Sequence, residues 1–329
     1  MSNVLDKLDN DRIHIVILGA GASKAAFPNG DRNGKLVPLM NEISSITSIR
    51  KFLHKEGLSN DIDSFEEFYS ELLSDPDKKV IVSQLEHLIY DYFSELELPD
   101  NPTIYDYILL SLRENDVIAT FNWDPFIVQS YLRVKKITKN IPQVFFLHGT
   151  VALGECKQHS IVDLIDRQCP QCKKPLERIK LLYPTTSKDY TQDAYIKDQW
   201  DAIVFYLGKA NGMTIFGYAA PKTDVAAIDL LKQGWGDNNK RIMEEIDIIN
   251  IDHPEALQKS WNQFIHETHF SIFKDYFESS LSLFPRRISE YQYSRFNLNM
   301  WLDNHQIEKG LDFSQLEQRI KYLIDFESS

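Results

Sequence analysis

The stretch that decides the fold runs Ile13-His14-Ile15-Val16-Ile17-Leu18-Gly19-Ala20-Gly21-Ala22-Ser23. Its first six residues are mostly aliphatic, which is typical of a parallel strand buried on both faces. The small residues that follow would let a backbone approach a phosphate closely, and a helix beginning there would direct free N–H groups at a pyrophosphate. A tight turn without a ligand is the alternative for so short a motif. The stretch therefore predicts a Rossmann-type strand and turn.

The turn departs from the pattern of NAD-dependent dehydrogenases in two places. Lys24 stands where those enzymes carry a third glycine. Glu42 lies near the distance at which they place an acidic ribose ligand, but it falls in a helical pattern rather than after a second strand. The departures disfavour hydride transfer, whereas dinucleotide binding stays open.

Farther along the chain, short apolar runs alternate with helical patterns. Strands are predicted at residues 116–120, 144–147, 213–216 and 246–251, and helices at about 195–209 and 224–232, with a helical insertion at about 38–113. Strands separated by helices predict an α/β fold with a Rossmann-like, doubly wound parallel sheet. We expect one domain over residues 1–254, followed by a helical C-terminal extension over residues 255–329.

Aromatic and aliphatic side chains recur along this extension at helical spacing. They are Trp261, Phe264, Phe273, Tyr276, Phe277, Leu281 and Phe284, followed by Phe313, Leu316, Ile320 and Leu323. The stripe predicts packing on the sheet domain, and a docking face for another subunit is the alternative.

Composition excludes several classes of function. With 36 basic and 48 acidic side chains the net charge is −12, so no broadly basic face is expected and direct binding of nucleic acid is disfavoured. The first apolar stretch follows an acidic segment, unlike a secretion signal, and no run of about 18 apolar residues would span a membrane. We therefore expect a cytoplasmic protein with no membrane segment.

The three cysteines lie close together and pair with a histidine. Cys156 and His159 are separated by two residues, and so are Cys169 and Cys172. Such pairs can each hold one edge of a zinc tetrahedron, which predicts a zinc knuckle at about residues 154–176. Four protein ligands leave no open position, so the metal would be structural. Three reduced cysteines beside a surface histidine are the alternative.

Polar residues stand at the predicted carboxyl ends of the strands, where open α/β sheets bind ligands. They lie in four segments: Thr120-Phe121-Asn122-Trp123-Asp124, Leu147-His148-Gly149-Thr150, Gly217-Tyr218-Ala219-Ala220-Pro221-Lys222-Thr223-Asp224 and Asn250-Ile251-Asp252. Taken alone, His148 could be a structural histidine, Asn122 a turn former and Asp124 a helix N-cap ahead of Pro125.

In this order, and together with the glycine turn, the segments resemble the sirtuin family over residues 13–252. The closest likeness is to bacterial sirtuin-like domains that act as NAD-degrading effectors of anti-phage defence. Sirtuins also carry a zinc module in this region, usually with four cysteines, whereas His159 replaces one of them here.

The resemblance implies a role for each matching residue. Gly19, Ala20, Gly21 and Ser23 would hold the NAD+ phosphates and the neighbouring ribose. Asn122 and Asp124 would line the nicotinamide and ribose pocket, with His148 and Asn122 as the catalytic residues. Gly217, Asp224 and Asn250 would contact the adenosine half.

The residue types agree with glycosidic cleavage of NAD+. Breaking the nicotinamide–ribose bond passes through an oxocarbenium-like state, so the protein mainly positions a nucleophile and handles one proton. Histidine can be the base near neutral pH, the Asn122 amide can orient a water or a ribose hydroxyl, and Asp124 can accept from the carboxamide.

We therefore expect an NAD+ glycohydrolase that forms nicotinamide and ADP-ribose. An NAD-dependent protein deacylase is the first alternative, but peptide-binding sirtuins carry a Phe-Gly-Glu segment after the zinc module that residues 183–190 lack. A non-catalytic module that binds NAD+ or ADP-ribose is the second. The resemblance also implies a homo-oligomer and a defence-system partner protein bound through the C-terminal helices.

Overall fold

A computed structural model describes residues 12–58, 62–185, 190–220, 224–237, 240–241, 243–265 and 269–327. Its strands are β1 (Ile13–Leu18), β2 (Val117–Thr120), β3 (Gln143–Phe146), β4 (Leu153–Cys156), β5 (Ile161–Leu164), β6 (Glu177–Arg178), β7 (Ala210–Phe216), β8 (Glu245–Ile249) and β9 (Phe270–Phe273). Six of them form one parallel sheet in the order β3-β2-β1-β7-β8-β9. The order reverses on either side of β1, which is the Rossmann arrangement predicted from the sequence.

The α-helices lie between and after these strands. They are α1 (Ala20–Ala26), α2 (Thr47–Lys55), α3 (Phe65–Ser74), α4 (Lys79–Ser94), α5 (Ile104–Leu110), α6 (Phe126–Val134), α7 (Ala194–Leu207), α8 (Val225–Trp235), α9 (Pro254–Trp261), α10 (Ser280–Leu283), α11 (Ile288–Asn297) and α12 (Phe313–Glu327). Three short 3₁₀ helices complete this part of the chain, at Met40–Ser45, Pro76–Lys78 and Tyr276–Glu278.

The sheet is buried on both faces, because the two sets of side chains on β1 enter different cores. Ile15 and Ile17 pack with residues of α7, α8 and α9, whereas Val16 and Leu18 pack with the helical insertion and with α10 to α12. All four are fully buried. Burial on both faces explains why this strand is an almost unbroken aliphatic run.

The predicted helical insertion is confirmed between β1 and β2, where α2 to α5 lie. Helix α3 begins after Ser64, whose side chain accepts a hydrogen bond from the Glu67 amide at 3.3 Å and so caps the helix. Helix α4 buries Leu85, Ile89 and Phe93 in the same hydrophobic core as Val16 and Leu18 of β1. The insertion thus covers one face of the sheet beside the end of β1.

The C-terminal region differs from its prediction in one respect. Phe270–Phe273, expected within the helical extension, forms β9 and pairs in parallel with β8. The sheet therefore continues past the predicted boundary at residue 254. Four residues that alternate little in polarity carry almost no strand signal of their own, and the pairing depends on β8, which is distant in sequence.

The aromatic stripe of this region packs within the described fold. Trp261 and Phe264 enter the core beside α7 and α8, whereas Tyr276 and Leu281 enter the core on the opposite face. All four side chains are buried. The stripe is thus shared between both faces of the sheet.

Candidate functional site

Five of the predicted site residues meet where β1, β2 and β3 end. The register places Leu18, Thr120, Phe146 and Phe216 level with one another, so the loops after these strands leave from one edge of the sheet. This edge includes the crevice between β1 and β7 where the strand order reverses, the position at which open α/β sheets bind ligands.

A small cavity of about 60 Å³ lies at this edge. Five of the predicted site residues line it: Ala20, Ser23, Asn122, Asp124 and His148. The remaining wall is apolar and consists of Val37, Pro38, Met40, Ile43, Phe93, Phe121 and Trp123. The fold therefore brings together residues that are up to 128 positions apart in the chain, counted from Ala20 to His148.

The glycines of the first turn allow two loops to touch. The Gly19 amide donates to the Phe216 carbonyl at 2.9 Å, and the Gly21 amide donates to the Gly217 carbonyl at 3.0 Å. A Cβ atom on Gly19 would lie 2.5 Å from the Gly217 carbonyl oxygen. Gly217 itself has φ +67, and a Cβ there would lie 2.1 Å from the Ala22 nitrogen. Close contact between the turns after β1 and β7 is thus a structural reason for these three glycines, beside any contact with a phosphate.

Ser23, Asn122 and Asp124 form one buried hydrogen-bond network with Tyr105. The Asn122 Nδ2 donates to the Gly19 carbonyl and to Ser23 Oγ, both at 3.0 Å, and reaches Tyr105 Oη at 3.1 Å. Ser23 Oγ lies 2.6 Å from Tyr105 Oη and donates to Asp124 Oδ2 at 2.7 Å. Because Nδ2 serves this network, Oδ1 is the Asn122 atom that can accept from a water or a ribose hydroxyl.

Asp124 is the acceptor at the end of this network. Its Oδ1 also accepts from the Phe126 amide at 3.3 Å, although Pro125 rather than Asp124 is the N-cap of α6. Burial raises the pKa of Asp124 from 3.8 to about 6, although the hydrogen bonds from Ser23 and Phe126 lower it in part. Burial and the Asp124 carboxylate raise the pKa of Tyr105, which keeps that hydroxyl protonated.

Replacing Asp124 with asparagine should stabilise the fold at neutral pH. The folded protein binds the proton of the Asp124 carboxyl group more tightly than the unfolded chain does. Ionisation of this group therefore lowers the free energy of unfolding as the pH rises from 3.8 through about 6. A shift of this size corresponds to at most about 3 kcal/mol, and we expect a gain of about 1 to 3 kcal/mol. Thermal melts of D124N and the wild type between pH 4 and pH 7.5 measure it.

The difference between the two proteins should grow with pH across that window. Asp303→Asn, at an exposed position, is the matched control and should show no such trend. A D124N protein that is less stable than the wild type at pH 7.5 would contradict the burial argument.

His148 faces a second set of polar side chains. Its Nε2 lies 3.0 Å from Tyr190 Oη and 3.9 Å from Asp224 Oδ2. Tyr190 Oη donates to Asp224 Oδ1 at 2.8 Å, and Tyr218 Oη donates to Asp224 Oδ2 at 3.2 Å. Phe121 meets the imidazole edge to face, with ring centres 4.8 Å apart.

The backbone around His148 is held by the chain that returns from the cysteine segment. The Leu182 amide donates to the His148 carbonyl at 3.0 Å. Gly149 has φ +77, and a Cβ there would lie 2.4 Å from the Lys180 carbonyl oxygen. The position of the imidazole thus depends on the segment that follows β6.

The residues expected to contact the adenosine half are not all together. Asp224 lies beside His148, whereas Gly217 begins the turn after β7. Asn250 follows β8, where its Oδ1 accepts from the Asp252 amide at 3.0 Å. Residues 221–223 of the predicted segment lie outside the described residues.

Tyr105 and Tyr190 belong to the site, but the sequence did not single them out. Tyr105 lies in α5, where every residue except Ile104 is buried. Nothing in the sequence therefore distinguishes its hydroxyl from the neighbouring core side chains. Tyr190 precedes α7 without a recognisable motif. Both were detectable only from the side chains that surround them.

The cysteine segment forms a three-stranded antiparallel sheet in the order β5-β4-β6. Cys156, His159, Cys169 and Cys172 place their ligand atoms within 4.8 Å of one another. Cys156 Sγ lies 3.8 Å from Cys172 Sγ, and His159 Nδ1 lies 3.4 Å from Cys156 Sγ and 3.3 Å from Cys169 Sγ.

These separations fit a zinc tetrahedron. Two thiolates bound to one zinc ion at about 2.3 Å lie about 3.8 Å apart. The predicted ligand set is therefore brought together, and all four positions would be occupied by protein atoms. Such a site can be structural but leaves no place for a substrate.

Among the described residues, no helix is both long and apolar enough to cross a membrane. No family model matches the chain, and no curated protein matches it.

Several solved structures are similar over most of their length. A mutant Sir2 homologue in complex with ADP-ribose is 12% identical, with 99% of this chain and 98% of that chain covered and a TM-score of 0.43. A second mutant in complex with ADP-ribose is 14% identical, with coverages of 92% and 100% and a TM-score of 0.45. A Sir2 homologue in complex with NAD is 12% identical, with coverages of 90% and 95% and a TM-score of 0.38.

Proposed function

We propose that this protein is a sirtuin-like NAD+ glycohydrolase that cleaves the nicotinamide–ribose bond to give nicotinamide and ADP-ribose. The observation that carries the proposal is that Asn122, Asp124 and His148 line one cavity at the switch point of a Rossmann sheet. The identity of the substrate is inferred from the sequence motifs, because their resemblance to the sirtuin family implies NAD+.

The reaction needs only groups that these residues can provide. The bond between ribose C1′ and the nicotinamide nitrogen breaks with its electron pair on nicotinamide, and a water oxygen forms the new bond to C1′. His148 takes the proton from that water, and Asn122 Oδ1 orients it. Asp124 places a carboxylate beside the positive charge that develops on the ribose.

The small volume of the cavity implies that its apolar wall moves when the substrate binds. A volume of about 60 Å³ is far below the roughly 300 Å³ or more of an ordinary small-molecule pocket. Polar side chains on one side of the cavity are held by the buried network. We therefore propose that the segment carrying Val37, Pro38 and Met40 moves outward to admit NAD+.

Water is favoured over an acyl-lysine as the nucleophile by the segment after the cysteine module. Residues 179–185 and 190–193 contain no strand that could pair with an extended peptide. Tyr183 instead packs on Trp123, with ring centres 5.3 Å apart. Tyr190 packs on Trp200, with ring centres 4.7 Å apart. This favours hydrolysis over deacylation.

The biological setting is proposed from the resemblance alone. We propose that the protein is an anti-phage defence effector in the cytoplasm, that it forms a homo-oligomer, and that a defence-system partner protein binds through the C-terminal helices.

The test is to incubate the purified protein with NAD+, with and without an acetylated lysine peptide, and to follow nicotinamide release. Release with NAD+ alone supports the glycohydrolase. Release only with the peptide would move the protein to the deacylases. If neither condition gives release but calorimetry detects NAD+ binding, the protein is a binding module and the proposed activity is wrong.

A further inference from the structure

The hydroxyl of Tyr190 connects the imidazole of His148 to the carboxylate of Asp224. The three groups are close together in the fold, with Tyr190 Oη 3.0 Å from His148 Nε2 and 2.8 Å from Asp224 Oδ1. His148 and Asp224 are almost fully buried, with 9% and 3% of their side chains exposed. Hydrogen bonds in such surroundings are stronger than in water, and the partners constrain one another.

The direction of each hydrogen bond follows from the chemistry of the acceptor. An ionised carboxylate can only accept, so Tyr190 donates its single proton to Asp224. Burial and the charge of Asp224 raise the pKa of Tyr190, which keeps that proton on the hydroxyl. The Tyr190 oxygen is then free to accept from the imidazole, and the ring must carry a proton on Nε2 to donate.

We propose that Asp224 acts through Tyr190 to hold the neutral His148 ring with its proton on Nε2, and that this is the tautomer in which the ring takes part in NAD+ cleavage. The inference rests on the proposed function for the proton transfer and on the hydrogen bonds for the tautomer. Tyr190 and Asp224 are positioning residues, because they act through His148. The arrangement also gives Asp224 a role beside the catalytic base rather than at the adenosine.

Other titratable groups surround the same imidazole. Asp124 lines the cavity from the loop after β2, and Tyr218 donates to the second oxygen of Asp224. Glu66 of α3 is close enough to raise the pKa of Tyr190 and of Tyr218, after burial and Asp224 have made larger contributions. Of these groups, Asp224 is the carboxylate joined to His148 through a hydroxyl, so it should dominate the tautomer.

The test measures the ring of His148 directly. Ring ¹⁵N spectra of the full chain are recorded across roughly pH 5 to pH 9, the range in which histidine titrates, and a His148→Gln spectrum identifies the signal among nine histidines. The proposal expects the Nε2-protonated tautomer in the wild type. Tyr190→Phe should lose this preference. Asp224→Asn should lower the pKa of His148 by about one unit or more, since a neighbouring negative charge is removed.

Tyr218→Phe is the matched control, because it removes a hydrogen bond to the same carboxylate without touching the link to His148. It should keep the wild-type tautomer. In the nicotinamide assay, Tyr190→Phe should lower kcat by about tenfold with little change in KM, and the acidic limb of the Asp224→Asn pH profile should move to lower pH.

An Nδ1-protonated ring in the wild type, or an unchanged tautomer in Tyr190→Phe, would overturn the inference. These spectra need no substrate, so they decide the connection even if the wild type does not cleave NAD+. Absence of nicotinamide release would contradict the proposed function alone.

Discussion

Replacing His148 with alanine should lower kcat for nicotinamide release by about 10²- to 10⁴-fold, the usual contribution of a positioned general base. The imidazole is buried at the edge of the cavity, and histidine is a side chain whose ordinary pKa suits proton transfer near neutral pH. Steady-state kinetics with NAD+ measure the loss. Circular dichroism and a thermal melt should show that the variant remains folded.

His87→Ala is the matched control for this substitution. His87 lies exposed on α4, with Nδ1 2.6 Å from the Ser83 carbonyl, and it does not line the cavity. Its removal should leave kcat and KM close to wild type. If His148→Ala kept the wild-type rate, the proposed role of the imidazole would be wrong.

Replacing Cys169 with alanine should abolish stoichiometric zinc binding and unfold the three-stranded module. Cys169 is the fully buried ligand of the cluster, and a module this small depends on its metal for most of its folding free energy. The expected loss is several kcal/mol, because zinc binding to small domains contributes about 10 kcal/mol or more. Metal analysis and limited proteolysis of residues 153–178 check both effects.

The same substitution should also impair NAD+ cleavage, although no zinc ligand lines the cavity. The chain returning from the module donates from the Leu182 amide to the His148 carbonyl and packs its Lys180 carbonyl against Gly149. Unfolding the module would release this support. His159→Cys is the matched control, since it restores four thiolates and should keep one zinc per chain and wild-type activity. A Cys169→Ala protein that kept one tightly bound zinc would contradict the proposed ligand set.

Three features of this protein were predictable from its sequence, each for a physical reason. The strand Ile13–Leu18 was recognisable because burial on both faces demands an aliphatic run. The zinc ligands were recognisable because tetrahedral chelation restricts their spacing in the chain. Residues at strand ends were recognisable because parallel strands bring their carboxyl ends to one edge. In each case the physical requirement acts on residues that are close in sequence or repeat with a regular period.

Features that depend on distant partners were not recognisable in this way. Strand β9 forms by parallel pairing with β8. Tyr105 belongs to the site because the fold brings its hydroxyl within hydrogen-bond distance of Ser23 Oγ. The tertiary structure also explains the glycines after β1, since Gly19 and Gly21 must fit against Gly217.

The sequence by itself determined the Rossmann-type strand and turn, the helical insertion, the zinc ligands and the set of polar residues at the strand ends. Only the tertiary structure decided which groups these residues contact: Ser23 contacts both Asp124 and Tyr105, and Tyr190 contacts both His148 and Asp224. The physical reason is that burial and metal chelation restrict the residue types at fixed spacings in the sequence, so both can be recognised from local patterns. Hydrogen bonds between loops depend on distances of about 3 Å that arise only when the strands are assembled.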